Sequence, residues 1–159
     1  MGFEIEKKFL IKNDSWKIGA IGTAYRQGYL SGDKGRTVRV RTVGSTGFIT
    51  IKGPTQNGRR LEYEYEIPES DVQEMLETLC LSPIIEKVRY LVDYKGFTWE
   101  IDVFSGVNEG LIVAEIELES IHQDFALPPW VGQEVTDDPR YYNSNLSRHP
   151  FQLWKDHKE

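Results

Sequence analysis

Apolar and polar residues alternate with a period of two in many short stretches of this chain, the mark of β-strands that present two unlike faces. Segments 3–11, 24–31, 36–43, 47–53, 60–67, 84–93, 97–104 and 111–119 all carry the pattern. Turn residues separate them. Gly32-Asp33-Lys34-Gly35, Gly44-Ser45-Thr46-Gly47, Gly53-Pro54-Thr55-Gln56-Asn57-Gly58, Tyr94-Lys95-Gly96 and Ser105-Gly106-Val107-Asn108-Glu109-Gly110 supply the Gly, Asn and Asp that tight connections need. The pattern predicts eight antiparallel strands joined in hairpins.

Two stretches depart from it. Between Pro68 and Leu81, Val72, Met75, Leu76 and Leu79 recur at helical spacing, and Ser70 with Gln73 three residues later resembles a capping box. An amphipathic helix lying on the sheet is expected there. From 120 to 159, Pro128, Pro129, Pro139 and Pro150 exclude long regular elements and leave short helical turns near 122–127 and 139–147, then a frayed, charged end. No repeat, low-complexity tract or linker divides the chain, and its 159 residues fit one domain over 1–159.

The content of the alternation is unusual. Glu4, Glu6 and Lys8 share one face of the first strand, against Phe3, Ile5, Lys7 and Phe9. Arg39 and Arg41 alternate with Val38 and Val40, Thr50 and Lys52 with Ile49 and Ile51, and Glu62, Glu64 and Glu66 with Leu61, Tyr63, Tyr65 and Ile67. Lys87 and Arg89 oppose Val88 and Tyr90, Glu100 and Asp102 oppose Ile101 and Val103, and Glu115, Glu117 and Glu119 oppose Ala114, Ile116 and Leu118. Any one strand reads most simply as a solvated sheet face, but solvated faces usually intersperse the two signs. Several strands of one sign point instead to a closed barrel with these faces inward and the apolar faces covered by helices.

Around such a lumen, Lys8, Arg39, Arg41, Lys52, Lys87 and Arg89 could neutralise a polyphosphate, the arginines through bidentate forks and the lysines as point charges. Carboxylates of Glu4, Glu6, Asp102, Glu115 and Glu117 suit a hard cation, Mg²⁺ or Mn²⁺.

Composition narrows the classes. Nineteen Lys and Arg against 25 Asp and Glu give a net charge of −6, which argues against a broad nucleic-acid surface. Cys80 is the single cysteine, so neither a disulfide framework nor a multi-cysteine zinc site is expected, and a reducing, cytoplasmic setting fits. No run approaches the ~20 apolar residues of a membrane span, and residues 1–14 lack a signal-peptide stretch. No Gly-x-x-x-x-Gly-Lys-Ser/Thr loop is present. His122, His149 and His157 lack the close pairing of a zinc site and read as surface or structural residues. Trp16, Trp99, Trp130 and Trp154 read as core, and Cys80 as a buried small hydrophobe.

The opening Glu4-Ile5-Glu6-Lys7-Lys8-Phe9-Leu10 carries a Glu-x-Glu-x-Lys signature. It is followed in order by Gln27-Gly28-Tyr29-Leu30, Val38-Arg39-Val40-Arg41, Thr50-Ile51-Lys52-Gly53, Glu62-x-Glu64-x-Glu66, Glu86-Lys87-Val88-Arg89-Tyr90, Trp99-Glu100-Ile101-Asp102-Val103-Phe104 and Glu115-Ile116-Glu117-Leu118-Glu119. This ordered set over residues 4–119 resembles the CYTH, or triphosphate tunnel metalloenzyme, superfamily. The resemblance implies a mainly β (α+β) fold, a closed eight-stranded antiparallel barrel with flanking helices, which binds a triphosphate and one or two divalent cations. By position, Lys8, Arg39, Arg41, Lys52, Lys87 and Arg89 would bind phosphates, while Glu4, Glu6, Asp102, Glu115 and Glu117 would hold metal directly or through water. Glu62 and Glu64 would shape the site or position water. Tyr29 would stand in the tunnel wall near the substrate, with a packing role equally open. The tail around Tyr141-Tyr142-Asn143 resembles the short bacterial members, in which a helix closes one tunnel end.

The activity implied is metal-dependent hydrolysis of inorganic tripolyphosphate, or less selectively of nucleoside triphosphates, with release of orthophosphate. Such transfer needs positioning and charge neutralisation more than covalent chemistry, and Lys87 and Arg89 are the candidates for stabilising the departing phosphate. Two alternatives stay open: a thiamine triphosphatase or class IV-type adenylate cyclase of the same superfamily, and a non-catalytic polyphosphate- or partner-binding barrel. The expected partner is a small-molecule triphosphate, with no nucleic acid and no membrane, for a monomer or homodimer.

Overall fold

Ten strands form one antiparallel sheet in the computed structural model, which describes residues 2–31, 33 and 35–154. In chain order they are β1 (Gly2–Glu4), β2 (Glu6–Ile11), β3 (Ile21–Ser31), β4 (Thr37–Val43), β5 (Thr46–Lys52), β6 (Arg60–Ile67), β7 (Ile85–Tyr94), β8 (Phe97–Ser105), β9 (Ile112–Glu117) and β10 (Val131–Glu134). Two α-helices accompany them, α1 (Glu69–Thr78) and α2 (Asn143–Arg148). The strand order is β1-β6-β5-β4-β3-β7-β8-β9-β2-β10.

The expected first strand, 3–11, is interrupted at Ile5, and this break wraps the sheet round. Before it, Phe3 pairs with Leu61 of β6; after it, Glu6 pairs with Glu117 and Lys8 with Glu115 of β9. The two ends of the sheet therefore meet in one continuous segment, and the Leu118 N–H donates to the Ile5 carbonyl at 2.8 Å beside the break.

All eight expected segments are strands, but the tail adds β10, which lies against β2 with Val131 opposite Ile11. A helical turn near 122–127 is not formed. That stretch lies over the sheet's outer face, where the Phe125 ring packs edge-on against Phe9, Phe97 and Trp99 at 5.9–6.3 Å between centroids. Pro128 then disfavours a helical backbone at the residue before it. Near 139–147 a 3-10 turn (Pro139–Tyr141) leads into α2, as expected.

Helix α1 presents Val72 and Leu76 to Val40 on the outer face. Its approach is close. A Cβ on Gly28 would stand 2.9 Å from Cys80 and 3.0 Å from Leu76, so this position must stay bare. Cys80 follows the helix and is half-buried rather than buried. The capping box is absent: Pro68 precedes the helix, Ser70 lies inside it, and the Gln73 side chain accepts from Arg26 at 2.8 Å. Glu69 and Asp71 in the first turn favour the positive end of the helix dipole.

The apolar faces are not all covered by helices. Phe9, Trp16, Trp99, Ile101, Ile116 and Trp130 form a second outer core, sealed by a turn at Ser15–Lys17 and by the 121–131 stretch. On β1, β5 and β6, Phe3, Ile51, Leu61 and Tyr65 remain exposed. All four tryptophans are buried, and His122 and His149 are exposed. Gly32, Lys34, His157 and the charged end lie outside the described residues.

Candidate active site

The charged faces point together across the lumen, as their cross-strand ion pairs show. Lys87, with no exposed side-chain surface, donates to Asp102 at 2.8 Å. Arg89 grips the same carboxylate through Nε at 2.7 Å and Nη2 at 2.9 Å. On the other wall Arg41 and Arg39 share Glu64 at 3.3 and 3.6 Å, and Thr50 donates to that carboxylate at 2.6 Å. Lys52 reaches Glu4 at 2.8 Å and Glu62 at 3.7 Å. Lys8 lies between Glu115 at 3.3 Å and Glu6 at 3.7 Å.

These pairings set the protonation of the site. Burial alone would raise the Asp102 carboxyl, but Lys87 and Arg89 hold it below its usual range. Burial brings Lys87 down to about 8 against the pull of Asp102, and the neighbouring Arg89 charge lowers it further. Arg41 is lowered to about 10 by burial, then by Arg39 and Arg89. Glu6 is pushed up to about 8 by burial and then by Glu115. Glu115 itself stays well below the carboxylate range against its burial, held there by Lys8, Arg89 and a hydrogen bond from Glu6. Glu117 is raised by burial, then by Glu4, Glu62 and Glu100.

A cavity of about 130 Å³ opens beside this network, lined by Glu4, Glu6, Lys8, Tyr29, Arg39 and Lys52 on the barrel and by Tyr142 and Asn143 of the tail. Tyr29 also belongs to a buried apolar cluster with Ile85, Phe104, Val113, Leu146 and Trp154, which seats α2 against the barrel as a plug beside the cavity. Tyr29 thus has both roles left open for it: it lines the cavity and packs in the plug.

The CYTH domain pattern matches residues 2–146. The chain belongs to the CYTH family. An inorganic triphosphatase of Acetivibrio thermocellus is 52% identical over 156 residues, covering 98% of this chain and 100% of that protein. One of Nitrosomonas europaea is 37% identical over 151 residues, covering 91% and 96%. A solved structure of an inorganic triphosphatase superposes with a TM-score of 0.64 at 36% identity, over 90% of this chain and 96% of its own. A Pyrococcus horikoshii protein, with a TM-score of 0.58 at 19% identity over 74% and 79%, shares the fold alone.

Within this CYTH barrel several residues join the site that sequence patterning passes over. Asn143 of α2 accepts from Lys87 at 3.4 Å and from the fully buried Gln27 at 3.3 Å, tying the plug to the basic wall. Glu100 reaches Arg89 at 3.3 Å, and Thr50 accepts from Arg39 at 3.1 Å. Parity is the available signal, since Glu100 shares a face with Asp102, and Thr50 with Lys52. Parity gives no signal for Asn143 in the irregular tail, where the resemblance of Tyr141-Tyr142-Asn143 to the short bacterial members is the pointer.

The carboxylates fit a hard divalent cation in a particular way. Glu4, Glu6, Glu115 and Glu117 crowd one side of the lumen, and Glu6 and Glu117 are raised first by burial and then by the carboxylates around them. Their oxygens are the hard ligands a divalent cation takes, and one or two of them could hold it together with phosphate oxygens and water. Asp102 fits less well, because both its oxygens serve Lys87 and Arg89.

Proposed function

We propose that this protein hydrolyses inorganic tripolyphosphate with the aid of Mg²⁺ or Mn²⁺. One observation carries the reading: the Nε donors of Arg39 and Arg41 are buried without an acceptor, while Glu64 and Asp102 each have to serve two cations. Buried unpaired donors destabilise by about 1–3 kcal/mol each, and phosphate oxygens would satisfy them. A chain of phosphates along Lys8, Arg39, Arg41, Lys52, Lys87 and Arg89 would give these six cations an anionic partner, with a divalent cation offsetting its charge against the carboxylates.

Water attacks the terminal phosphorus, the bond to the bridging oxygen breaks, and orthophosphate and pyrophosphate leave. Lys87 and Arg89 neutralise the departing charge, with Asp102 anchoring both. Glu64 is engaged by two arginines and Thr50 and acts as an anchor, which leaves Glu62, with Lys52 at 3.7 Å, to orient the water. One or two of the carboxylates Glu4, Glu6, Glu115 and Glu117 would hold the cation, which would supply charge neutralisation to the phosphate. A cytoplasmic setting belongs to the same reading, supported by the single cysteine.

The test is the purified protein with Mg²⁺ or Mn²⁺ against tripolyphosphate, ATP, thiamine triphosphate and pyrophosphate. Phosphate release with the highest kcat/KM for tripolyphosphate is expected. Cyclic AMP formed from ATP without phosphate release, or inactivity with both metals, would overturn it.

A further inference from the structure

Three lumen cations converge on one aromatic ring. The guanidinium carbons of Arg89 and Arg41 lie 4.9 and 5.1 Å from the centroid of Tyr25, and the Lys87 ammonium lies 5.7 Å from it. They come from β7 and β4, the two neighbours of β3, on which Tyr25 stands opposite Lys87 and two residues from Gln27, the partner of Arg41. All three separations fall within the ~6 Å over which a ring face attracts a cation.

The cations need such a device. Arg39 and Arg41 share the single carboxylate of Glu64, and Lys87 and Arg89 share Asp102, with Glu100 and Glu115 also reaching Arg89 at 3.3 and 3.8 Å, so like charges still stand close together on both neighbours of β3. Like charges in a buried lumen splay apart unless something neutral and polarised lies between them. The face of Tyr25 does so without adding an anion that would compete with a phosphate chain.

We propose that Tyr25 is a positioning residue, whose ring gathers Arg41, Lys87 and Arg89 into one array set for a polyphosphate. The proposal rests on the reading that these cations bind phosphate. The ring's electron-rich face does the gathering, and the hydroxyl is dispensable. Lys87 also lies 5.5 Å from the Phe104 ring, so the two arginines depend on Tyr25 more than it does.

The test is a substitution series at this position: Tyr25→Phe, Tyr25→Leu, and site-specific phenylalanine carrying one, two or three ring fluorines. Fluorine withdraws density from the ring face with little change of size. Three measurements are made: thermal unfolding without ligand, tripolyphosphate binding by calorimetry, and kcat and KM. Tyr25→Phe should stay within about twofold of wild type. Tyr25→Leu should weaken Kd and raise KM about tenfold, with a smaller change in kcat. Added fluorines should lower Tm and weaken Kd stepwise. A flat fluorine series beside a damaged Tyr25→Leu would make the ring mere packing, and a Tyr25→Phe as weak as Tyr25→Leu would assign the effect to the hydroxyl. Either result overturns the proposal. Failure of the triphosphatase reading looks different: wild-type protein leaves tripolyphosphate intact while Tm still falls with fluorine content, so the array stands and its ligand changes.

Discussion

Replacing Glu6 with glutamine should make the metal-free protein more stable at alkaline pH and leave it unchanged in acid. Glu6 titrates near 4.5 in the unfolded chain and about 8 in the fold. The native state therefore binds the proton more tightly, and stability falls as pH rises from 4.5 to 8. At about 1.4 kcal/mol per pH unit the full window corresponds to about 5 kcal/mol. The Glu6 side chain is 24% exposed and its proton is shared with Glu115, so roughly half that ceiling, about 2–3 kcal/mol, is expected. For a chain of this size that is about 5–10 °C in Tm. The amide of the Glu6→Gln variant is neutral at every pH and can still donate to Glu115. The assay is thermal unfolding of both proteins with chelator, at intervals from about pH 4.5 to about pH 9. The curves should coincide at the acid end and separate steadily above about pH 6, the variant lying higher. Added Mg²⁺ should close the gap by stabilising only the wild type, and the variant should lose metal-dependent turnover. Parallel curves across the whole range would refute the account of Glu6 as a carboxyl held protonated by burial and Glu115.

Lys87→Ala should lower kcat for tripolyphosphate at least a hundredfold, since charge-stabilising groups in enclosed sites contribute about 3–4 kcal/mol to the transition state; a folded variant with near-normal kcat removes Lys87 from catalysis. Because the Lys87 ammonium loses its proton near pH 8, kcat/KM of the wild type should decline above that pH. Lys87→Arg, charged throughout, should lack this decline, as a pH–rate comparison will show. Gly28→Ala should cost about 1–3 kcal/mol in thermal unfolding by pushing α1 off the sheet. Leu146→Ala, in the fully buried centre of the plug, should cost about 2–5 kcal/mol and speed proteolysis within the tail.

The lumen is legible in the sequence because its strands carry charges of one sign at period two, a pattern hard to reconcile with eight solvated faces. Arg39, Arg41, Lys87 and Arg89 can be grouped from parity alone. The break at Ile5 is not visible there, since alternation runs straight through residues 3–11 while the hydrogen-bonding partner changes. Strand β10 is four residues, Val131–Glu134, too short and too mixed to show a period. At 122–127 the spacing of the prolines leaves room for a short helical turn, but Phe125 lies instead over Trp99. Tyr25 stays hidden because an aromatic ring in a strand acquires meaning only from neighbours brought by the fold, and the tail's resemblance points to Asn143 without showing that its amide meets Lys87.

The split strand also orders events in time. During synthesis the segment bearing Glu4 and Glu6 emerges well before its partner, since β2 pairs with β9 about 110 residues later. At ~5–20 residues per second the ribosome takes roughly 5–20 s to deliver that partner. Hairpins β3–β4, β4–β5 and β7–β8 join near neighbours and can form within microseconds of release. Until β9 emerges, the nascent chain therefore holds an open, curling sheet with an unpaired acidic strand. Closure through residues 2–11 is the slow, long-range step, and it is the same step that assembles the acidic side of the lumen.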